Sequence, residues 1–300
     1  MMMRVSASMV LYRTDMAEVL QCMTCLVENG VTDIWVIDNS PEMTDVASAI
    51  ARRWNLRCIK LRYRHLPNNP GYGTAHNMAI HCAYAERFEA HIVLNTDIRF
   101  GRGVVDRMIE VLLTDSRIGQ ISPQIVYPDG TEQYVQRLLP TPIDVFGRRF
   151  LPSFMKRSRN HRYVLAERDP HLSANIPYHQ GSFMMFRMRA LGEIGGFDER
   201  FFMYPEDIDI TRRMHRKYIT LYYPHVTVVH DHRASSYKSL RMLWVHCLNM
   251  IRYFNKWGWW YDPERRRVNR DTLRAMGLDR HGRRQSPQPE YRENDFHTYD

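Results

Sequence analysis

Short apolar runs alternate with amphipathic stretches through the first hundred residues. Val5 to Leu11 (VSASMVL), Ile34 to Ile37 (IWVI), Cys58 to Leu61 and His91 to Leu94 (HIVL) read as four buried strands. Between them, Asp15 to Glu28, Pro41 to Arg53 and a stretch beginning near Thr74 read as helices. Asn29-Gly30 stops the first of these, because glycine accepts the left-handed cap. Strands alternating with helices predict an α/β fold with an open, mostly parallel sheet covered on both faces. In such sheets ligands bind beyond the carboxyl ends of the strands, where Asp38 and Asn95-Thr96-Asp97 fall.

Beyond Phe100 the pattern loosens. Val104 to Leu113 predicts a short helix, and Ile118 to Tyr127 a strand closed by the Pro128-Asp129-Gly130 turn. Residues 140 to 178 mix prolines with basic and aromatic residues at no clear period, which predicts a long loop over the site. Gly181 to Phe186 is an apolar strand, Ile219 to Tyr223 and Val226 to His230 are two more, and Ser239 to Trp257 is a helix. The tail from Asp262 is polar and predicts fraying by Asp279. The domain reading is therefore 1–236 as the main unit (1–100 and 101–236 as its halves), 237–261 as a C-terminal helix and 262–300 as a tail.

Composition narrows this only a little. With 300 residues, 44% hydrophobic and 25% charged, the chain is an ordinary globular protein with room for a large core. Five cysteines without framework spacing favour a reducing compartment, and Cys22-Met-Thr-Cys25 fits helix packing better than metal or redox work. The N-terminal MMMRVSASMVLYRT turns polar too soon for a secretory signal, and no run of about 18 apolar residues suggests a spanning helix. The net charge of +9 includes a basic stretch from Asp144 to Pro170, with seven Lys/Arg against three acids, suited to a solvated loop or to phosphate groups.

The candidate chemistry gathers around Gly181 to His215. Glu206, Asp207 and Asp209 open a helix directly after Phe201-Phe202-Met203-Tyr204 and Pro205, where acids suit the helix dipole and where a catalytic carboxylate is the competing reading. At their spacing Glu206 and Asp209 share one helix face and would crowd charge near Asp207, raising its pKa toward that of a base working near neutrality. Upstream, Asp38 could accept the imide N–H of a uracil or thymine, or cap a helix. In Asn69-Pro-Gly-Tyr-Gly-Thr-Ala-His-Asn77, Gly71 and Gly73 permit close backbone approach and the following helix offers N–H groups to a diphosphate. The third glycine of GxGxxG is missing, which disfavours a nicotinamide site. Asn95 and Asp97 could serve a hard divalent cation shared with phosphates, and His230, with His232 a weaker candidate, could reach the same sheet edge.

Taken in order, SMVLYRT, WVIDNS, NNPGYGTAHN, VLNTD, GSFMMFR, GGFDERFFMYPEDIDITRRM and VVHDHRASSYKS resemble the inverting family-2 glycosyltransferases with the GT-A fold, from about Val5 to Phe254. The last three look most like the bacterial rhamnosyltransferase branch that builds O-antigen and other cell-surface polysaccharides. The resemblance implies a GT-A sheet with a C-terminal helical extension, a nucleotide-sugar donor, and a saccharide or lipid-diphosphate-linked saccharide acceptor. It implies Asp38 at the nucleobase, with Asn69, Gly71, Gly73, Asn77 and Asn95 around the diphosphate-sugar. Asp97 and His230 would be ligands of Mg2+ or Mn2+, and Asp207 of the Glu206-Asp207 pair the catalytic base. Gly181 and Tyr204 belong to the acceptor side. Where the family often has Asp-x-Asp, this chain has Asn95-Thr96-Asp97, one carboxylate fewer.

Two other classes fit parts of the chain. A sugar nucleotidyltransferase shares the sheet and metal logic, but Ser8 to Thr14 lacks its glycine-rich loop. A basic nucleic-acid-binding protein leaves the acids at 206–209 and Asp97 without a role and shows no ordered motif, so no nucleic acid is expected. The Ser239–Trp257 helix and Trp257-Gly-Trp-Trp-Tyr261 place aromatics among basic residues, which suits the inner face of a cytoplasmic membrane or contact with a second subunit.

Overall fold

The computed structural model describes residues 3–54, 59–147, 153–231 and 240–285. In chain order, β1 (Val5–Leu11), α1 (Met16–Glu28), β2 (Asp33–Asp38), α2 (Val46–Arg53), β3 (Lys60–His65), α3 (Tyr72–Ala85) and β4 (Ala90–Leu94) form the alternating first part. Next come β5 (Ile98–Arg99), α4 (Val104–Thr114), β6 (Ile118–Val126), β7 (Gln136–Arg137), α5 (Pro142–Phe146) and α6 (Ser153–Tyr163). The remaining elements are β8 (Ala174–Asn175), β9 (Tyr178–His179), β10 (Phe183–Arg187), α7 (Met188–Ile194), α8 (Glu206–His215), β11 (Ile219–His230), α9 (Leu240–Trp257) and α10 (Pro263–Ala275).

The main sheet runs β3-β2-β1-β4-β10-β6-β11-β5, with β8 paired to β11. β10 is antiparallel to both neighbours, so β4 and β6 run the same way. With the parallel pairs β1–β2, β1–β4, β2–β3 and β6–β11, six strands share one direction, and the sheet is mostly parallel as the alternation predicts. The carboxyl ends of those six therefore lie along one edge, together with the entry to β10.

Residues alternate across the sheet because successive side chains of a strand point to opposite faces. Ile34, Val36, Ile92, Leu94, Phe183 and Met185 join α1, α2 and α4 in one core. Trp35, Ile37, Val93, Met184 and Phe186 join α3, α7 and α8 in the other. A third core, with Leu138, Leu165, Tyr178, Phe201, Ile208, Tyr222, Tyr253, Phe254 and Leu273, binds α9 and α10 to the segment after β6. The CxxC residues pack as expected of a helix face: Cys22 is buried and its thiol donates to the Asn95 carbonyl, while Cys25 accepts from the Phe100 N–H.

Several boundaries differ from the pattern-based reading, each for a local reason. β3 starts at Lys60 and extends to His65, and Cys58 lies outside the described residues; as an edge strand it carries Lys60, Arg62 and Arg64, which blunt the hydrophobic signal. α2 starts at Val46, not Pro41, with Asp45 as its cap. The expected loop at 140–178 contains α5, α6, β8 and β9: Thr141 and Asp144 form a capping box with Pro142 in the first turn. The two strands foreseen at 219–230 are one, β11, whose register against β6 breaks between Tyr223 and Thr227, around Pro224.

The polar tail folds into α10 because Asp262 caps it, accepting from the Arg265 N–H at 2.8 Å, and Arg212 reaches across to Asp262 at 2.8 and 2.9 Å. α9 is gripped by Asp209 of α8. That fully buried carboxylate accepts from Lys256 Nζ at 2.6 Å, Trp257 Nε1 at 2.8 Å and Arg213 Nε at 2.7 Å. Removing one partner of a buried ion pair leaves uncompensated charge. Asp209→Ala is therefore expected to lower the unfolding free energy by about 3 kcal/mol or more. Urea denaturation measures this, and a loss under about 1 kcal/mol would show that the clamp is dispensable.

Candidate active site

The site forms where β4 ends and β10 begins. Phe183 pairs with Leu94, and the Asn95 N–H donates to the Ser182 carbonyl at 2.9 Å, which sets Gly181 beside the end of β4. Tyr72, the first residue of α3, reaches in from the donor side. Its hydroxyl lies 3.0 Å from both Asn95 Oδ1 and the Gly181 carbonyl, and its one proton is shared between them. The Gly181 N–H in turn donates to Asp207 Oδ2 at 2.9 Å, while Asp207 Oδ1 accepts from the Ile208 N–H at 2.7 Å. A Cβ on Gly181 would stand 3.3 Å from that of Asp207, so glycine is what lets the carboxylate approach this closely.

Burial decides the protonation of the acid pair. Glu206 is pushed well above the usual carboxylate range, first by burial and then by the charge of Asp207; its Oε2 has no hydrogen-bond partner among the described residues. Burial also raises Asp207, to about 7, against the pull of the Gly181 and Ile208 N–H groups and the charge of Arg137. Desolvation comes first, and neither Glu206 nor Asp209 is among the principal causes, in place of the expected crowding. Asp209 is turned to Arg213, Lys256 and Trp257. Burial, then Glu206, Asp207 and Asp97, push the Tyr72 phenol well above its ordinary range and keep it an O–H donor.

Asp97 and His230 meet at the same edge. His230 Nε2 is 3.3 Å from Asp97 Oδ1. Gln133 fixes the ring: its amide N–H donates to the His230 carbonyl at 2.8 Å, which turns Gln133 Oε1 toward Nδ1 at 2.9 Å. In the neutral ring Nδ1 then carries the proton and Nε2 offers its lone pair on the side of Asp97, the arrangement usual for a metal-ligating histidine. One oxygen and one nitrogen ligand fit a divalent cation completed by phosphate and water. No group of three or more His, Cys, Asp or Glu suited to a metal exists among the described residues, and His232 lies outside them. Asn95 Oδ1 is taken by Tyr72, and the Thr96 hydroxyl donates to Glu18.

Several residues read as donor contacts also make contacts within the protein. Asp38 is fully buried; burial raises its carboxyl, but hydrogen bonds from Ser40, Thr44 and Tyr63 outweigh this and leave it near 2. It accepts from the Ser40 N–H at 2.9 Å, the Thr44 N–H at 3.0 Å and the Tyr63 hydroxyl at 2.7 Å, so it shapes the loop before α2. Asn69, at a left-handed φ of 44°, accepts from Asn39 and the Gly71 N–H. The glycines make room for protein neighbours: a Cβ on Gly71 would stand 2.5 Å from the Phe202 carbonyl oxygen, and one on Gly73 would stand 2.9 Å from Phe197 Cβ. The Tyr72 N–H is likewise taken by Phe202. Asn77 is buried and clamps the turn before α8, donating to the Phe197 carbonyl and Glu199 and accepting from the Phe197 N–H. Tyr204, at a φ of 90°, packs its ring edge-on against His246 of α9 at 4.9 Å.

Sequence reasoning missed Tyr72, Gln133 and Arg137. Tyr72 lay between the two glycines that drew attention, and its role depends on strands far apart in the chain. Gln133 and Arg137 sit where the hydrophobic pattern had loosened, and no spacing pointed to either.

Comparisons with known proteins agree with this geometry. The profile of the family described as Glycosyl transferase family 2 matches residues 9–195. An N-acetylglucosaminyl-diphospho-decaprenol L-rhamnosyltransferase of Mycobacterium tuberculosis is 30% identical over 220 residues, which span 70% of this chain and 66% of that protein, just under two thirds of its length. A low-salt glycan biosynthesis hexosyltransferase of Haloferax volcanii is 27% identical over 198 residues, 64% of this chain and 56% of that protein. Among solved structures, a mannosyltransferase of Pyrobaculum calidifontis in complex with GDP-Man and Mn2+ aligns with a TM-score of 0.55 at 19% identity, over 84% of this chain and 63% of that one. GalNAc-T7 with UDP, GalNAc and Mn2+ aligns with a TM-score of 0.57 at 13% identity, over 76% and 43%. The fold is of the GT-A type.

The raised Asp207 carboxyl has a consequence for stability. Its folded value of about 7 lies above its ordinary 3.8, so between these values the folded chain holds a proton that the unfolded chain has lost. The associated stability is fully present below pH of about 4 and is lost as pH rises toward about 7. Asp207→Asn cannot ionise there. The melting-temperature difference between Asp207→Asn and the parent is therefore expected to move in favour of the variant from pH 4 to 7 and then level off. A difference independent of pH would mean that Asp207 is ionised throughout.

Proposed function

Because the chain belongs to glycosyl transferase family 2, we propose that it moves a sugar from a nucleoside-diphosphate donor to an acceptor hydroxyl with inversion at the anomeric carbon. The observation that carries this reading is Asp207: a buried carboxyl poised at about 7, fixed by the Gly181 N–H on the sheet edge that also bears Asp97 and His230. In the proposed step the acceptor hydroxyl gives its proton to Asp207 as its oxygen bonds to the anomeric carbon. The bond from that carbon to the diphosphate oxygen breaks, and the electron pair leaves with the diphosphate. With Glu206 pushed toward its protonated form by burial and by the charge of Asp207, Asp207 is taken as the base of the pair. Asp97 and His230 would hold Mg2+ or Mn2+, whose charge offsets that of the diphosphate, and the imidazole nitrogen favours Mn2+. Asp38 contributes by shaping the loop that receives the nucleobase, Gly181 by placing the base, and Tyr204 by lining the acceptor side.

The specific reaction we propose is transfer of rhamnose from dTDP-rhamnose to a lipid-diphosphate-linked saccharide in cell-surface polysaccharide assembly. Its support is the likeness to the Mycobacterium rhamnosyltransferase, whose name specifies a diphospho-decaprenol acceptor. The same reading puts the protein on the cytoplasmic face of the membrane. No helix among the described residues is long and apolar enough to cross a membrane. On α9, however, Trp244, Leu248 and Ile251 stand exposed at i, i+4 and i+7, near exposed Trp260 and Tyr261. Exposed Arg252, Arg266, Arg267 and Arg270 supply charge that suits an anionic lipid surface.

Two experiments test these assignments. Asp207→Asn is expected to slow transfer by roughly 10²-fold or more while keeping the thermal shift given by donor. Near-normal transfer would sink the base assignment. In the same assay dTDP-rhamnose should stabilise the protein more than UDP-sugars, and EDTA or His230→Ala should remove the metal-dependent part of the shift. For the membrane, flotation with vesicles containing phosphatidylglycerol should carry the protein up at low salt, and Leu248→Glu with Trp244→Glu should leave it behind. Binding unchanged by both substitutions would reject α9 as the contact, and dimerisation abolished by them would assign the stripe to a second copy of the chain.

A further inference from the structure

One cation of the site, Arg137, has no carboxylate within ion-pair distance among the described residues. Arg137 ends β7, which pairs with β9 so that Arg137 faces Tyr178. The chain then runs through Gln180 to Gly181, the residue that holds Asp207, so Arg137 and the base are tied to one short ribbon. Its guanidinium is held by the Tyr134 carbonyl at 2.9 Å and Gln180 Oε1 at 3.4 Å, and lies 5.8 Å from the ring centres of both Tyr163 and Tyr178. Both acceptors are neutral; the Tyr163 hydroxyl is a further hydrogen-bond partner, and the charge of Asp207 acts on the guanidinium from a distance. By contrast Arg168 is matched by Glu132, Arg212 by Asp262 and Glu264, Arg213 by Asp209, and Lys256 by Asp198 and Asp209. A half-buried guanidinium fixed by neutral oxygens and walled by two aromatic rings has lost its rotational freedom before any ligand arrives. Its planar fork matches the oxygens of a phosphate.

We propose that Arg137 is an acceptor-side phosphate subsite, binding the diphosphate of a lipid-linked saccharide whose attacking hydroxyl lies at Asp207. The inference rests on the acceptor class proposed above and adds the residue that recognises it. Arg137 acts on Asp207 by charge without a hydrogen bond, and the ribbon from Tyr178 to Gly181 ties it to the residue that holds that carboxylate, so the diphosphate of an acceptor would meet it while the sugar faces the base. The phosphate is thus read by a different residue from the pair, Asp97 and His230, that faces the donor diphosphate. The competing role is narrower: Arg137 could act only on Asp207, favouring its ionised form.

The two roles separate by acceptor charge. Initial rates are measured for the full chain with an alkyl diphosphate of N-acetylglucosamine and with the same alkyl glycoside lacking the diphosphate. The ratio of kcat/KM for the two acceptors should fall about tenfold or more in Arg137→Gln, mainly through KM, and recover in part in Arg137→Lys. If Arg137 acted only on the base, both acceptors would lose equally and the acid limb of the pH profile would move up, and that result overturns the subsite. Binding of the two compounds to Asp207→Asn, with and without Arg137→Gln, gives the same comparison without turnover. A parent enzyme that binds donor yet neither binds nor uses either acceptor overturns the acceptor reading itself; an unchanged ratio overturns only Arg137.

Discussion

The site depends on a single backbone unit, Gly181, used on both sides. Its N–H holds Asp207 of α8 and its carbonyl takes the hydroxyl of Tyr72 at the start of α3. Two helices that meet the sheet from the same face are thereby referenced to the entry of β10, and β10 is in register with β4 through Phe183 and Leu94. A side chain at 181 would push Asp207 away, and loss of the Tyr72 hydroxyl would leave the carbonyl without its partner. The carboxylate sits at a fixed place because backbone, which has no rotamers, sets it there.

That fixed place is nearly dry, and dryness gives the acid pair its character. Two adjacent carboxyls in water would both ionise. Here burial raises both carboxyls, Glu206 further through the charge of Asp207, and leaves Asp207 at about 7. Arg137 pulls the other way by its charge alone, without a hydrogen bond to the carboxylate. A base that must take a proton from a hydroxyl works best when its own affinity for protons is neither lost to strong ion pairing nor exhausted by full burial. Asp209, two residues on, shows the contrast. With Arg213, Lys256 and Trp257 around it, the same residue type becomes an anchor.

Much of the fold was legible because β1, β2 and β4 are buried on both faces and announce themselves as apolar runs. Legibility failed where another constraint replaced burial. The edge strand β3 carries charges, β11 crosses a proline, and α10 is held by Asp262 and Arg212 rather than by a long apolar stripe. For the site, the acids and the motif order were visible, but the role of each polar residue was not. Asn69, Gly71, Gly73 and Asn77 sit in the motif that resembles a donor-binding loop, yet their contacts are to Asn39, Phe202, Phe197 and Glu199. A motif can persist because it positions a tyrosine. Sequence spacing cannot distinguish a glycine that admits a phosphate from one that admits a phenylalanine carbonyl.

The same contacts explain why the C-terminal helices belong with the site rather than beside it. Lys256 and Trp257 of α9 hold Asp209, and Arg212 of α8 reaches Asp262 and Glu264 at the start of α10. α8 thus carries the candidate acids and Asp209, the attachment point of α9, on its first turn, and Arg212, the attachment point of α10, on its second. Tyr253, Phe254 and Leu273 pack into the core that includes Phe201 and Ile208, so α9 and α10 share buried contacts with α8. A surface that meets the exposed stripe of α9 therefore fixes its position relative to Asp207 through contacts already buried. The attachment of the helical extension and the placement of Asp207 rest on one ten-residue helix.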